Sequence, residues 1–399
     1  MLDSISDLHL DSIKLWYLVQ HSLSSYRKLI QYFGSVAQAI HPDQLNCWSD
    51  VKIHQNHIER ARNFLTPTGQ EQFHICLNKI HQHTDFILLD SEASYPKQLL
   101  HYEDRPPILF GKGNLQNLSQ PQIAIVGSRK PSPHGKQVAY DFAYYLSEKG
   151  FFITSGLAQG IDEAAHLGAL NHHRTIAVIG TGLDQVYPSQ NQGLQDNILK
   201  SSGTVISEFL PETKPLQHNF PRRNRIVSGL SLGILVAEAT LKSGSLITAK
   251  SAADQGKTIF AIPGHIYSEF HQGCHQLIRE GAILVDHPEH IIEDLALPTQ
   301  WQIHENANQD SSILNLETQP QSKDSSTAKN HSISPKPINL PDHLFALYQQ
   351  LDWVGQDLDQ LASKVSLSTA ELTSALMELE LLGLCMQKSG LYLRCRSDH

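Results

Sequence analysis

The sequence predicts an α/β protein built on a doubly wound parallel sheet. The first observation is a series of continuous apolar runs, as expected of strands that are buried on both faces. These runs lie at 123–126, 151–154, 175–179, 204–208, 233–237, 258–262 and 282–285. The second observation is that helical segments separate the runs, at 135–148, 161–170, 191–200, 246–255 and 273–280. Buried strands that alternate with helices predict a parallel sheet with helices on both faces.

Residues 1–85 are predicted to form a small helical domain. Apolar residues recur at helical spacing in its first segment, from Leu10 through Ile13 to Trp16. Gly34 followed by Ser35 indicates the end of one helix and the cap of the next. The pattern is typical of a SAM-like or helix-hairpin-helix-like bundle. Acidic residues slightly outnumber Lys and Arg in this region, so we expect a structural cap rather than a phosphate-binding surface.

The predicted sheet domain, residues 86–295, opens with a segment (86–112) of two short apolar runs around a Pro-rich turn. Ligands of doubly wound sheets lie beyond the carboxyl ends of the strands. Small-residue turns are expected at that edge, because Gly lets the backbone approach a ligand and Ser can donate to a phosphate oxygen. The residues concerned are Gly127, Ser128, Arg129, Ser155, Gly156, Ser243, Gly244 and Ser245. Three such turns on one edge predict an anion site.

An aromatic residue and three arginines indicate which anion this is. Phe220 is followed closely by Arg222, Arg223 and Arg225. Proteins that bind single-stranded nucleic acid combine a basic track with aromatic rings on which bases stack. We therefore expect a nucleic-acid phosphate as the ligand and Phe220 as the stacking platform. The alternative for Phe220 is a core position beside Pro221.

Other phosphate-binding motifs do not match. The segment Gly180-Thr181-Gly182 resembles the start of a dinucleotide fingerprint, but Gln185 stands at the third glycine position. Gly256-Lys257-Thr258 ends like a P-loop, yet Ser251 lies where the first glycine belongs and a strand follows. No nucleotide cofactor is expected.

The C-terminal part of the chain changes character twice. Residues 296–339 are rich in Gln, Asn, Ser, Thr and Pro, which predicts a flexible linker. Residues 340–399 then carry three helical stretches (344–351, 356–365 and 369–382) and a hairpin pattern at 384–393, which together predict a winged-helix-like domain. Its third helix contains Glu371, Glu378 and Glu380 and no Lys or Arg, so protein contact is more plausible there than DNA contact.

Composition limits the classes of function. The net charge of −9 over 399 residues argues against coating nucleic acid with the whole surface, but allows a local basic groove. The five cysteines form no CxxC pair, and the 23 histidines lack ligand spacing, so neither a metal site nor a disulfide framework is expected. No apolar run approaches the length of a membrane span, and the first residues lack a basic signal start. We expect a cytoplasmic protein that is not inserted in a membrane.

Five long motifs resemble the DprA/Smf family, the DNA-processing proteins of bacterial natural transformation. They are VGSRKPSPHGK (126–136), SGLAQGIDEAAHLGAL (155–170), FPRRNRIVSGLS (220–231), EATLKSGSLITAKSAADQGKTIFAIPG (238–264) and GCHQLIREGAILV (273–285). The resemblance implies an extended Rossmann-like fold that binds and protects incoming single-stranded DNA, forms a homodimer and loads the RecA recombinase. It also implies that the protein catalyses no reaction and needs no cofactor.

The resemblance also implies a set of DNA-contacting residues. These are Arg129, the loop at Ser155-Gly156, the stretch Phe220, Arg222, Arg223, Asn224 and Arg225, and the turn and helix start from Ser243 to Lys250. Gln159 stands where some members have a basic residue, so a basic contact is not expected at that position.

Two other functions compete with DNA binding. The fold resembles that of nucleoside-monophosphate phosphoribohydrolases of the lysine-decarboxylase-like group, which carry a PGGxGT turn near a catalytic Glu. Here the matching region, 243–248, lacks the double glycine, although Glu238 lies upstream. A transcription factor acting through the winged helix is the other alternative, and the acidic third helix argues against it.

Overall fold

The computed structural model describes residues 6–295 and, near the C-terminus, residues 341–351, 356–365, 367–382, 384–388 and 391–394. These fall into two compact units, one containing residues 6–295 and the other containing the C-terminal segments. The linker predicted at 296–339 lies outside the described residues.

The N-terminal region is helical, as predicted. Its helices are α1 (Asp7–Leu18), α2 (Leu23–Phe33), α3 (Val36–Ala39), α4 (Pro42–Leu45), α5 (Gln55–Phe64) and α6 (Pro67–His83). Gly34 ends α2 in the left-handed region at φ 85°, which a residue without Cβ adopts freely, and the Ser35 side chain accepts the Gln38 N–H at the start of α3. The helix–stop–cap–helix pattern expected at this point is confirmed.

Strands and helices alternate from residue 86 onward. The strands are β1 (Phe86–Leu89), β2 (Ile108–Gly113), β3 (Gln122–Gly127), β4 (Phe152–Ser155), β5 (Thr175–Val178), β6 (Thr204–Ser207), β7 (Gly233–Glu238), β8 (Thr258–Ala261) and β9 (Ile283–Leu284). The helices are α7 (Lys97–Leu100), α8 (Pro133–Glu148), α9 (Ile161–Leu170), α10 (Gln192–Lys200), α11 (Asn219–Leu230), α12 (Ser245–Asp254), α13 (Gln272–Arg279) and α14 (Pro288–Asp294).

All nine of these strands form one sheet, in the order β1-β2-β6-β5-β4-β3-β7-β8-β9. The neighbours from β6 to β9 are parallel, whereas β2 pairs antiparallel with both β1 and β6. The doubly wound parallel sheet is thus confirmed, and the short apolar runs of 86–112 add an antiparallel extension. The chain moves outward from β3 to β6 and then returns to β7 beside β3. This reversal creates a topological switch point between β3 and β7.

The core lies on both faces of the sheet. On one face, α8 and α9 contribute Ala139, Phe142, Ala164 and Ala165. On the other face, α11 and α12 contribute residues such as Ile226 and Ala249. Burial on both faces explains why the central strands are continuous apolar runs.

The N-terminal helices pack against the sheet through a shared core. Trp16 and Leu29 belong to the same buried cluster as Phe110 of β2 and Val205 of β6. The fully buried indole of Trp16 donates a 2.8 Å hydrogen bond to the Glu208 carbonyl, just after β6. This bond joins α1 to the residue that follows β6.

The described part of the C-terminal unit contains α15 (Asp342–Gln350), α16 (Leu358–Lys364) and α17 (Thr369–Leu381). An antiparallel hairpin of β10 (Cys385–Lys388) and β11 (Leu391–Arg394) follows. Ser368 and Glu371 form a capping box at the start of α17. Three helices followed by a hairpin match the predicted winged-helix plan.

Candidate functional site

The loop after β3 is fixed to both neighbouring segments of the carboxyl edge. The Ser128 N–H donates to the Glu238 carbonyl at 2.7 Å, and the Ser128 carbonyl accepts the Ile161 N–H at 3.1 Å. A side chain at Gly127 would collide with Ile161 and with the Glu238 carbonyl, so the close approach requires glycine. The side chains of Arg129 and Lys130 remain exposed. The loop after β3 therefore presents two exposed cations at the switch point, on a backbone that is hydrogen-bonded to both sides.

The Glu238 side chain binds Ser132, the N-cap residue of α8. Its fully buried carboxylate accepts the Ser132 N–H at 2.9 Å and the Ser132 hydroxyl at 2.5 Å. Burial raises the pKa of this carboxyl group, and the two bonds to Ser132 oppose the shift. The chain's own carboxylate thus occupies the helix N-terminus nearest to the switch point, where an external anion would otherwise bind.

Hydrogen bonds to buried groups hold the loop after β4 in place. The fully buried Ser155 hydroxyl donates to the Ile125 carbonyl of β3 at 2.6 Å, so it faces the sheet. The Gly156 N–H donates to Asp162 Oδ2 at 3.1 Å, and the Gly156 carbonyl accepts a hydrogen bond from Arg223. The structure places Ser155 as a support of this loop.

Arg223 is a buried arginine beneath the same loop. It is 4% exposed, and its guanidinium also donates to the Val178 carbonyl at the end of β5. Burial lowers its pKa to about 10, and the attraction of Asp162 opposes the shift, so the guanidinium stays charged at neutral pH. Its Nε donates to the Asn224 side chain at 3.0 Å. Arg223 connects α11 to the ends of two strands.

Arg222 and Arg225 share one buried carboxylate. Their Nη2 atoms lie 3.1 Å and 2.5 Å from Glu208 Oε2, and Glu208 is fully buried. Arg222 also donates to the His21 carbonyl at 2.8 Å. The three arginines predicted to bind phosphate therefore all bind protein groups here, and their contact with DNA remains a prediction.

Phe220 presents a half-buried ring at the carboxyl edge. The Arg129 guanidinium carbon lies 5.2 Å from the centre of this ring, and the centre of the Tyr187 ring lies 5.5 Å away. Gly180, just after β5, leaves room for the ring, since a Cβ there would lie 3.1 Å from Phe220. We call Arg129, Tyr187 and Phe220 the Phe220 cluster.

Tyr187 is a member of the Phe220 cluster that our sequence reasoning missed. It is 42% exposed. The available signal was an aromatic residue in the polar segment after the Gly180–Gly182 turn.

The turn after β7 lies one strand further along the sheet. The hydroxyls of Ser243 and Ser245 are 2.7 Å apart and hydrogen-bond to each other. Ser245 is buried, while Gly244 and Lys250 are exposed at the start and on the surface of α12. The predicted DNA contacts of this turn and of Lys250 remain predictions.

Comparison with known proteins supports the resemblance seen in the motifs. Residues 86–296 match the family described as DNA recombination-mediator protein A, and residues 334–390 match the DprA winged helix domain. Protein Smf of Escherichia coli K12 is 38% identical over 345 residues, which is 85% of each chain. This chain belongs to the DNA recombination-mediator protein A family, also called DprA/Smf. The predicted family and the winged-helix prediction for the C-terminal domain are both confirmed.

Further DprA proteins share the central domain. DNA processing protein DprA of Streptococcus pneumoniae R6 is 47% identical over 210 residues, covering 52% of this chain and 73% of that protein. The X-ray structure of DprA from Streptococcus pneumoniae superposes with a TM-score of 0.61 at 37% identity, covering 72% of this chain and 98% of that one. The fold of the DprA domain is therefore shared.

The described residues contain neither a candidate metal site nor a candidate membrane span. Within them, no group of three or more His, Cys, Asp or Glu side chains is arranged to hold a metal ion. None of their helices combines the length and apolar character needed to cross a membrane.

Proposed function

We propose that this DprA-family protein binds single-stranded DNA at the carboxyl edge of its sheet and processes DNA during natural transformation. The Phe220 cluster is the observation that supports this proposal. An aromatic face stacks on a base of any sequence, and a guanidinium beside it neutralises a phosphate. Arg129 and Lys130 are free to contribute charge because their side chains project from a loop whose backbone is already hydrogen-bonded.

The wider role follows from family membership. Relatives from Streptococcus pneumoniae and Bacillus subtilis are named DNA processing proteins. By resemblance to that family, we propose that the protein protects incoming strands, delivers them to the RecA recombinase, acts as a homodimer and works in the cytoplasm without catalysing a reaction.

The environment of Glu238 argues against the phosphoribohydrolase alternative. A catalytic carboxylate must reach the substrate, but the Glu238 side chain is fully buried and hydrogen-bonded to Ser132. A side chain on Gly135 would overlap with this carboxylate, so the start of α8 packs directly against it. DNA binding therefore fits the switch point better than glycosidic cleavage.

Fluorescence anisotropy with single- and double-stranded DNA of one sequence, each at two salt concentrations, tests the proposal. We expect preferential binding of the single strand and a negative slope of log affinity against log salt, because arginine and lysine contacts release counterions. Equal affinity for both forms with no salt dependence would reject it. Release of a free base from nucleoside monophosphates would instead support the phosphoribohydrolase.

A further inference from the structure

The loop after β8 exposes a group of large apolar side chains at the carboxyl edge. Tyr267 is 83% exposed, Ile266 is 73% exposed and Phe270 is 41% exposed. The Tyr267 N–H donates to His265 Nδ1 at 3.3 Å, and the centres of the two rings lie 5.6 Å apart. The loop therefore presents the Tyr267 ring to solvent beside a second aromatic ring. Exposure of this extent in an aromatic residue commonly marks a binding surface.

The sheet places Tyr267 in line with the Phe220 cluster. Phe220 lies against Gly180 at the end of β5, and Tyr267 follows β8. The strands between them run in the order β5-β4-β3-β7-β8 and are all parallel, so their carboxyl ends share one edge. Four intervals of roughly 4.8 Å separate the two ends, or about 19 Å along that edge.

Exposed cations occupy the interval between the two aromatic positions. Arg129 and Lys130 lie on the loop after β3, and Lys242 lies on the loop after β7. Glu269 contributes an exposed carboxylate in the β8 loop, whereas the Glu238 carboxylate is buried and bound by Ser132. Positive charge thus predominates along the edge between the rings, as a strand of phosphates requires.

We propose that Tyr267 is a second base-stacking site, and that one DNA strand runs from the Phe220 cluster across β3 and β7 to this residue. The inference rests on the proposed function and extends it to a second contact. Aromatic rings separated by cations are the arrangement by which proteins bind single strands without sequence preference. A separation of this size lies within known binding sites of roughly 4–16 nucleotides.

The length of the bound strand distinguishes the second site from the first. An oligothymidylate of about 3 nucleotides is too short to span both rings and can occupy the Phe220 cluster alone, while one of about 20 nucleotides can span both rings. We expect Tyr267→Ala to weaken binding of the long oligonucleotide by about 5- to 150-fold, the effect of losing one base stack. Binding of the short oligonucleotide and the salt slope should stay at parental values, and Tyr267→Phe should retain parental affinity for both.

Two further variants and one measurement of oligomeric state complete the experiment. Tyr32→Ala is the matched control, because Tyr32 is a 56% exposed tyrosine on α2 and belongs to none of the loops that carry the Phe220 cluster or Tyr267. Phe220→Ala should weaken both oligonucleotides, and its failure to do so would overturn the proposed function itself. If Phe220→Ala weakens binding but Tyr267→Ala equals Tyr32→Ala on the long oligonucleotide, only the second site is overturned. A changed oligomeric state of Tyr267→Ala in light scattering would assign the ring to a protein interface and likewise overturn it.

Discussion

The Arg223 guanidinium occupies the space next to Gly156 in which a side chain at that position would lie. The Gly156 N–H donates to Asp162 and the Gly156 carbonyl accepts from Arg223, so the backbone of this one residue lies between two buried, oppositely charged side chains. The loop after β4 is therefore set by buried charge and by the absence of a Cβ. This relationship assigns Arg223 to the support of the site.

Gly156→Ala should destabilise the protein by about 1–3 kcal/mol, because the new methyl group overlaps with a guanidinium that has no alternative space. Urea unfolding monitored by circular dichroism measures the change in unfolding free energy. Gly193→Ala in α10 is the control: nothing lies within 4 Å of a Cβ at that position, so its stability should equal or slightly exceed that of the parent. Parental stability of Gly156→Ala would contradict the packing described here.

Arg223→Ala should lower the stability of the protein, whereas Arg129→Ala should lower the salt dependence of DNA binding. Removing Arg223 leaves Asp162 buried without its opposite charge, which should cost about 3–5 kcal/mol of unfolding free energy. Removing the exposed Arg129 should leave stability unchanged and lower the salt slope of DNA binding by about one, as loss of one phosphate contact does. Urea unfolding and salt titrations measure both quantities. The assignment fails if Arg223→Ala keeps parental stability but loses salt slope.

Phe220→Ala should cost roughly 1–3 kcal/mol of binding free energy per base that loses its stack, and should preserve the salt slope. The ring is half-buried, so thermal melting must accompany the titration. A melting temperature far below that of the parent would show that the ring serves the core. A folded variant with parental affinity would equally exclude stacking.

The sequence predicted the central strands because burial on both faces leaves a local signal. It did not predict that β2 pairs with β6, since the register Phe110↔Ser207 joins residues almost a hundred positions apart. It also assigned no helix to 219–230, where the structure has α11. Pro221 is tolerated there because the first turn of a helix needs no N–H donor from that position.

The candidate site was predicted by residue type more successfully than by role. Charge alone identified Arg222 and Arg225, but their partner Glu208 lies in another loop and becomes adjacent only in the folded chain. Charge patterns along a sequence do not show which cations are already paired. The exposed Arg129 and the buried Arg223 differ for this reason, although both belong to motifs shared with the family.

Unfolding free energy should fall as pH drops below about 6.5, partly because of His166. The fully buried imidazole contacts the Thr175 hydroxyl at 2.6 Å, and burial lowers its pKa to about 3. Between about pH 6.5 and 3 the unfolded chain therefore binds a proton here that the folded chain does not, which costs about 1.4 kcal/mol per pH unit. The raised pKa of Asp162 acts in the opposite direction.

Comparison of His166→Asn with the parent isolates this contribution, since all other groups titrate in both proteins. Urea unfolding at a series of pH values between about 6.5 and 4 should give a shallower dependence for the variant. Identical slopes would show that His166 does not titrate differently in the two states.

Trp16→Phe should loosen the N-terminal helices from the sheet. The substitution keeps an aromatic ring but removes the indole N–H that donates to the buried Glu208 carbonyl, leaving that acceptor unpaired at a cost of about 1–3 kcal/mol. Trp48→Phe is a matched control, because the equally buried Trp48 indole donates at 2.8 Å to Ala39, within the helical region itself. Both variants should lose stability. Only Trp16→Phe should make the segment between α6 and β1 accessible to a protease in limited proteolysis at neutral pH. Equal cleavage of the two variants would show that the bond to Glu208 does not hold the helices on the sheet.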